Sequence, residues 1–470
     1  MKKIISGVLS AVMLTSVLCA CNDGGNQSNA SQSGNNANSS QQTMTTEVAT
    51  TQPATEPNYK DTNYVAPIPP KNQTYKFEEI SLDDAATSSG YSIDDSKFRI
   101  TDASVSGDYL ALKIIYSNIN STDFSAYNVI YDLNGNMVAN TSNIAISEGY
   151  MKSATITGIY DDYIILEFNS SSHERIFALY NLKTQELKYI PSEYSSPQLD
   201  NGVIIISKVG DEGQGVKHGA LDLKLNEIIP AEYDELCLAS PNLFRAKKGE
   251  KYGLVDFNNK TVTDFNYKMI VKFTGVEDDS FSAFVDFDKN INKYTVALDE
   301  SDKVVLIDKE GKTHNNSFEI SGDNLNSDRV VSQYNDKTYI EDGKTVMDAD
   351  GNIITDDVFD WSCNHGFVNG YCVTKDNNNV FNLIDSNGNV IFSKSEDEYG
   401  IANFSSVDQN GLFDITYYLK SNHNAVKTEF IDLGGNVIQT VQENGIEPIG
   451  HGIFKQLKNK THVIYRITVE

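Results

Sequence analysis

The sequence is short of positive charge. Its 470 residues contain 38 Lys and Arg against 65 Asp and Glu, which gives a formal net charge of −27 at pH 7. Residues 1–60 hold as many basic as acidic side chains, so the whole excess falls on residues 61–470. A chain this acidic repels phosphate backbones and anionic lipid surfaces. We therefore expect no nucleic-acid partner and no membrane binding through a basic patch.

Catalytic and metal-binding signatures are also lacking. The chain has no Gly-x-Ser-x-Gly elbow, no zinc-protease His pair, no phosphate-binding loop and no dinucleotide fingerprint. Its seven His residues are scattered, and Cys363 with His365 has no third residue that would orient the pair as a nucleophile. We expect no catalytic residue, no metal and no cofactor. The 65 acidic side chains still leave open the carboxylate pair of a hydrolase.

The N-terminus is typical of an exported lipoprotein. Met1-Lys2-Lys3 precedes an apolar stretch that ends near Leu18 and is too short for a transmembrane helix. The stretch closes with Leu18-Cys19-Ala20-Cys21, which resembles the bacterial lipobox, in which a Leu and a small residue precede the lipidated Cys. We predict a signal peptide over residues 1–20 and a lipid on Cys21.

A polar tether follows the anchor. Residues 21–73 are rich in Asn, Ser, Gln and Thr, and no aromatic residue occurs between the lipobox and Tyr59. Such a segment buries too little apolar surface to offset the entropy of ordering, so we predict disorder. About fifty residues of flexible coil span roughly 40 Å. The expected location is the extracytoplasmic face of the cell membrane, with residues 74–470 as one folded domain.

The remaining cysteines do not form a disulfide framework. After lipidation of Cys21, three remain in the body, which is an odd number: Cys237, Cys363 and Cys372. A Cys363–Cys372 bridge and buried free thiols both stay open. No Cys-x-x-Cys pair and no zinc-type spacing occur.

The body has the pattern of an all-β protein. From residue 75 onward, short runs rich in Val, Ile, Tyr and Phe alternate with Asn, Asp and Gly turns, as in Tyr109–Tyr116 and Tyr163–Phe168. One phrase recurs: two apolar residues, an Asp, a turn, then apolar residues again. The Asp position of the phrase is filled by Asp132, Asn181, Asp222, Asp256, Asp308, Asp348, Asp385 and Asp432.

The spacing of the phrase predicts a β-propeller. The intervals run from 34 to 52 residues and average about 43, which fits a four-stranded blade. We predict about eight blades, with seven blades or an open β-solenoid as alternatives. The C-terminal strands over 452–467 carry no phrase, and we expect them to close the ring with an N-terminal strand at Tyr75–Ile80.

Each phrase predicts a hairpin turn. Asn-Gly, Asp-Gly or Gly-Gly supplies the positive φ angles that a tight turn needs. The preceding Asp is placed to accept hydrogen bonds from turn N–H groups. We assign these eight side chains a structural role, in preference to a ring of functional carboxylates.

One stretch resembles the bacterial WG repeat. Lys217-His218-Gly219-Ala220-Leu221-Asp222, then Ile228-Ile229-Pro230 and Tyr233-Asp234, match that family's pattern, and a second copy runs through Lys251–Asp256 to Tyr267. His218 and Tyr252 replace its Trp, and Leu225 stands where the family prefers Gly. The resemblance covers residues 217–268 and implies a β-repeat interaction module. It carries no catalytic residues across to this sequence.

Other acidic segments are weak candidates for a metal-binding or functional site. Asp348-Ala349-Asp350-Gly351-Asn352 alternates like a calcium loop but lacks the Glu at its twelfth position. The runs 277–279 and 396–398 are typical of solvated loops. A sialidase-type Asp box does not match, because two residues usually separate Asp from Gly.

Aromatic side chains are the remaining candidates for ligand contact. Tyr399, Tyr417, Tyr418 and Trp361 fit either sugar stacking or core packing, and the adjacent Tyr417 and Tyr418 must point to opposite faces of a strand. We expect core packing for most of them.

Taken together, these features predict a lipid-anchored surface lipoprotein that acts as a non-catalytic binding module for a protein or glycan partner. The alternatives are a propeller hydrolase acting on polysaccharide and an envelope assembly or sensor lipoprotein.

Lipidation of Cys21 is directly testable. Metabolic labelling with a fatty acid should mark the wild-type protein, whereas Cys21→Ala should stay unlabelled and be shed into the medium. Equal membrane retention of both proteins would contradict the assignment.

Overall fold

The structure is nearly all-β. The computed structural model describes residues 73–88, 90, 98–117, 124–145, 150–170, 174–210, 215–273, 294–301, 304–314, 331–334, 337–341, 346–348, 353–355, 369–376, 378–397, 399–408, 410–442, 446–450, 452–458 and 460–469. In these ranges 35 strands accompany one short helix, α1 (Asp83–Thr87), and one 3₁₀ turn (Thr141–Asn143). The predicted all-β class is confirmed.

The strands form nine antiparallel sheets, numbered here along the chain. The first strand is β1 (Tyr75–Glu79). Sheet 1 contains β2 (Phe98–Ser106), β3 (Tyr109–Ser117), β4 (Phe124–Asp132) and β5 (Met137–Asn140), and sheet 2 contains β6 (Tyr150–Tyr160), β7 (Tyr163–Ser170), β8 (Arg175–Asn181) and β9 (Leu187–Tyr189). Sheet 3 contains β10 (Ser195–Asp200), β11 (Val203–Val209), β12 (Val216–Asp222) and β13 (Glu227–Tyr233), and sheet 4 contains β14 (Glu235–Ser240), β15 (Leu243–Lys248), β16 (Lys251–Asp256) and β17 (Thr261–Tyr267).

The second half of the chain repeats this plan. Sheet 5 contains β18 (Met269–Ile270), β19 (Tyr294–Leu298), β20 (Val304–Asp308) and β21 (Thr313–His314), and sheet 6 contains β22 (Val331–Tyr334), β23 (Lys337–Glu341), β24 (Val346–Asp348) and β25 (Ile353–Thr355). Sheet 7 contains β26 (Tyr371–Lys375), β27 (Val380–Asp385) and β28 (Val390–Ser395), and sheet 8 contains β29 (Tyr399–Phe404), β30 (Leu412–Leu419), β31 (Ala425–Asp432) and β32 (Val437–Gln442). Sheet 9 contains β33 (Ile446–Gly450), β34 (Ile453–Lys458) and β35 (Thr461–Val469), together with β1.

The N-terminal strand completes the last sheet. β1 pairs with β35 in the register Tyr75↔Val469 to Glu79↔Tyr465. Arg466 of β35 donates to the Glu78 carboxylate of β1 and, through Nη1 at 2.8 Å, to the Leu133 carbonyl of sheet 1. Sheet 9 therefore joins the first repeat to the last, as a closed ring requires.

Sheet 9 packs face to face with both of its neighbours. Sheet 9 contacts sheet 8 through Phe454 and Phe430, whose ring centroids lie 4.5 Å apart. On its other face, Ile449, Ile453 and Ile464 join the core of sheet 1. The fold is a β-propeller. It has nine sheets, one more than the roughly eight blades predicted from the sequence. Eight sheets carry the phrase, and the ninth is the pairing of the C-terminal strands with an N-terminal strand that the sequence predicts.

Sheet 9 lacks the phrase for a topological reason. In the other sheets the phrase lies in the turn between the last two strands, as between β4 and β5 or β31 and β32. The fourth strand of sheet 9 is β1, which arrives from the other end of the chain. No turn joins it to β35, so no phrase is needed.

The phrase turns also hold one sheet against the previous one, as the turns at Gly311 and Asn259 show. Both residues have positive φ and lie against the fourth strand of the preceding sheet. A Cβ on Gly311 would stand 2.5 Å from the Val262 carbonyl oxygen of β17, and Asn259 accepts a 2.6 Å hydrogen bond from the Tyr233 hydroxyl of β13. Both this close approach and the φ of +81° therefore favour glycine at position 311.

A β-bulge follows the phrase in six sheets. The second residue of the last strand of the sheet is skipped in the register, and it is always Val or Ile: Val138, Ile228, Val262, Ile354, Ile391 and Ile438. The bulges interrupt the outer edge of these six sheets and so oppose edge-to-edge association. Ile391 packs into the core shared with the following sheet.

The docking of the phrase turns predicts a difference between two glycines. Gly311→Ala should destabilise the protein by about 1–3 kcal/mol more than Gly107→Ala, because overpacking adds to the strain of a positive φ only at Gly311. Gly107 has a φ of +54°, and a Cβ added there would meet nothing within 4 Å, so it isolates the backbone contribution. Thermal unfolding of both variants measures the difference, and equal losses would contradict the docking role.

Candidate functional site

The phrase carboxylates lie one per sheet, each inside its own turn. Asp132 Oδ1 accepts hydrogen bonds from the backbone N–H groups of Asn134 (2.9 Å) and Asn136 (2.8 Å). The same pair of contacts recurs at Asp222, Asp256, Asp308, Asp385 and Asp432. The structure therefore does not bring these carboxylates together.

Two phrase positions differ from the rest. Asn181 Oδ1 accepts from Lys183 N and Thr184 N, because its turn is one residue longer. At Asp348 the strand β24 ends, and the side chain and the following turn residues lie outside the described residues.

The same turn also occurs where the phrase is absent. Asp376, between β26 and β27, accepts from Asn378 N and Val380 N. Asp408, between β29 and β30, accepts from Asn410 N and Leu412 N. An Asp followed three positions later by Asn or Gly, which tolerate positive φ, is the signal that would have found both.

The residues that resemble the WG repeat serve packing. Lys217 Nζ lies 2.6 Å from Asp234 Oδ1, and the other Asp234 oxygen accepts from Gly249 N at 2.6 Å. A Cβ on Gly219 would stand 2.6 Å from the Ile229 carbonyl oxygen, because the bulged fourth strand passes directly over it. Burial lowers the pKa of His218, since it disfavours the charged form of the half-buried ring.

The aromatic candidates meet at one end of sheet 8. Tyr399 begins β29, Tyr417 and Tyr418 lie near the end of β30, and the exposed turn 420–424 leads into β31. We call this group the sheet 8 tip. Antiparallel pairing brings the three Tyr residues together, since Gly400 faces Tyr418 and Ile401 faces Tyr417 in the register. Trp361 lies outside the described residues.

Tyr417 belongs to the core. It is 3% exposed and donates a 2.9 Å hydrogen bond to Glu429, which also binds Lys427 at 2.6 Å. Burial and this hydrogen bond raise the pKa of Tyr417. Burial alone would raise the pKa of Glu429, but the hydrogen bonds from Lys427 and Tyr417 outweigh it and hold the pKa below its usual value. Tyr399 packs edge-on against Tyr417.

Tyr418 and His423 form a stacked pair at the surface. Their ring centroids lie 5.3 Å apart at an interplanar angle of 14°. The Tyr418 ring lies directly over Gly400, where a Cβ would come within 2.1 Å of its Cζ. His423 is exposed and has a φ of +59°. Its backbone N–H donates to the Leu419 carbonyl at 2.8 Å.

The turn around His423 is polar. Ser421, Asn422 and Asn424 are all exposed, and Asn422 Oδ1 accepts from Asn424 N at 3.0 Å. Lys420 pairs with Glu396 at 3.4 Å and donates to the Asp397 carbonyl at 2.8 Å. The tip thus combines an aromatic platform with hydroxyl and amide groups. The sequence pattern does not single out His423, because a lone His in a turn carries no periodic signal.

Only some of the other residues considered in the sequence fall within the described ranges. Cys363, His365, residues 277–279 and Asp350 lie outside the described residues. Cys372 is buried, with Sγ 3.7 Å from the Val373 carbonyl. Within the described ranges, no group of three or more His, Cys, Asp and Glu is arranged to hold a metal ion. None of the helices described there is long and apolar enough to cross a membrane.

Several solved structures are similar to this chain at low identity. BamB from Moraxella catarrhalis is 9% identical over 84% of this chain and 99% of its own, with a TM-score of 0.32. A eukaryotic initiation factor is 10% identical over 79% and 97%, with a TM-score of 0.42. The β-propeller domain of the Trilobed protease from Pyrococcus furiosus, which has an open velcro topology, is 14% identical over 72% and 95%, with a TM-score of 0.31. No protein-family model and no curated protein matches.

The backbone of His423 gives a stability prediction. Replacing it by Gly relieves about 1 kcal/mol of left-handed strain and loses a stacking contact of similar size. His423→Gly should therefore unfold within about 1 kcal/mol of the wild type in a thermal or urea experiment. A loss above about 2 kcal/mol would show that the stability of the fold depends on His423.

Proposed function

We propose that the protein is a lipid-anchored, extracytoplasmic binding protein whose propeller takes up a glycan at the sheet 8 tip. The observation that carries the proposal is the stacked pair of Tyr418 and His423. A non-glycine residue held at positive φ in an exposed turn costs free energy. Binding of a ligand by the His423 imidazole would explain why the turn keeps this unfavourable conformation.

The chemistry of the tip suits a sugar. One face of the His423 ring is covered by Tyr418, and the residue is exposed, so a pyranose ring can stack on the imidazole. Ser421, Asn422 and Asn424 surround it with a hydroxyl and amides, which both donate and accept hydrogen bonds. Neutral groups of this kind match sugar hydroxyls better than they match a charged ligand.

The location is part of the proposal. The lipobox ending in Cys21 and the polar segment up to residue 73 support an anchored head that stands clear of the membrane. A head carried in this way meets ligands at the cell surface. The acidic body would disfavour polyanionic ligands, which agrees with a neutral glycan.

A hydrolase function has less support. The described phrase carboxylates are occupied by turn N–H groups. In sheet 8, Asp408 is half-buried and bound by its own turn, and Asp414, which is only 2% exposed, offers a substrate little access. A glycosidase needs two carboxyl groups that both reach the scissile bond.

Glycan binding can be measured on the full-length protein in detergent. A glycan panel should give binding that falls at least about fivefold in His423→Gly, since one aromatic contact contributes about 1 kcal/mol. Tyr189→Ala, which removes an exposed aromatic from sheet 2, is the matched control and should bind like the wild type.

Three outcomes would contradict the proposal. They are binding that His423→Gly leaves unchanged, turnover of a glycan by the protein, and capture of an envelope protein at the tip without any glycan.

A further inference from the structure

Sheet 8 contains one buried carboxylate that lies within a strand and that no turn explains. Asp414 lies in the middle of β30 and is 2% exposed. Its neighbours Phe413 and Ile415 pack toward sheet 7, whereas Leu412 packs toward sheet 9. Because side chains alternate along a strand, Asp414 points toward sheet 9. It is paired in the register with Phe430, which contacts Phe454 of sheet 9.

Only part of this carboxylate is satisfied. Asn403 and Ser405 hydrogen-bond to it, but Oδ2 is buried and has no hydrogen-bond partner among the described residues. Burial raises the pKa of Asp414 to about 6, and the charge of nearby Asp408 adds to the rise. Burial also raises the pKa of Asp408 to about 6. A charged Asp414 is therefore costly at this interface.

The same corner holds the N-terminal strand. The Asn410 carbonyl, two residues from Asp408, accepts hydrogen bonds from Gln73 Nε2 and from the Tyr75 hydroxyl, each at 2.9 Å. Burial raises the pKa of Tyr75 to about 12, and the charges of Asp408 and Asp432 add to the rise. These contacts hold the start of β1 to sheet 8.

The groups around Asp414 are mostly acidic or neutral. Its own sheet contributes Asp408 and the 3% exposed Asp432, and sheet 9 contributes Tyr75 and Tyr465. Lys458 donates to the Tyr465 hydroxyl. Among the described residues, no ion pair reaches Asp414 or Asp408.

We propose that the interface between sheets 8 and 9 is a protonation-controlled latch. With Asp414 neutral, β1 stays paired and the ring is closed. Ionised Asp414 favours separation of the two sheets, which frees β1 and lets water reach the carboxylate.

The direction of the pH dependence follows from the protonation of Asp414 in the closed and open states of the latch. Opening exposes Asp414 and returns its pKa toward the ordinary value near 4. Below about pH 4 the carboxyl group is neutral in both states, and the closed latch is most stable. Between about pH 4 and 6 only the open state ionises, so closure weakens as the pH rises. Above about pH 6 both states are charged and the loss is complete.

Hydrogen exchange on the full-length protein in detergent tests the latch. After correction for the intrinsic exchange rate, opening of β1 amides over 75–79 should be about tenfold greater at about pH 7.5 than at about pH 5. Amides of β11, far from the latch in sheet 3, report global effects of pH. Asp414→Asn should keep β1 protected at both pH values, and Asp222→Asn, a phrase residue of sheet 3, should leave the tenfold ratio intact.

The wild type alone decides the question if Asp414→Asn does not fold. Equal corrected opening of β1 at the two pH values would overturn the proposal, as would a change in β11 of the same size. A tenfold ratio that persists in Asp414→Asn would overturn it as well. Asp408→Asn provides a second variant, and it should reduce the ratio because it removes a charge that adds to the effect of burial on the pKa of Asp414.

Discussion

Contact between the described phrase turns and the preceding sheets is the interaction on which the architecture depends. A four-stranded sheet alone leaves both faces exposed, so each sheet is stable only against its neighbours. The turn supplies two things at once: an Asp that satisfies its own N–H groups, and a left-handed residue that lies under the previous outer strand. Leu225 shows how strong this requirement is. It adopts a φ of +68° without being Gly, because its side chain packs into the core between sheets 2 and 3.

Much of the fold follows from the sequence, and the exceptions have physical reasons. Alternation of apolar and turn residues locates strands such as β3 and β11, and the phrase spacing predicts the repeat. The bulge at Ile391 and the close approach at Gly311 are not visible in the sequence, because they depend on how one sheet rests on the next. The turn at Asp376 escapes the phrase pattern since it contains no Gly, although Asn379 takes the positive φ instead.

The sheet 8 tip is predictable only in part. Tyr417 and Tyr418 are adjacent in the sequence, so opposite orientations follow from strand geometry alone. Which of the two reaches solvent depends on tertiary packing: Tyr417 is fixed by Glu429, whereas Tyr418 rests on Gly400 beside His423. Asp414 is inconspicuous for a similar reason. One carboxylate among 65 acidic side chains carries no signal until burial distinguishes it.

The construction of sheet 9 from both halves of the chain sets the order of folding. Every other sheet consists of consecutive strands and can form as soon as its own residues are available. Glu78 and Arg466 are 388 residues apart, so their contact requires closure of a loop that spans nearly the whole propeller. High contact order slows folding, and the ring is therefore expected to close last, with eight sheets stacked beforehand as a template. Until then β1 and β35 both present unpaired strand edges, which makes this interval the period of greatest exposure to aggregation.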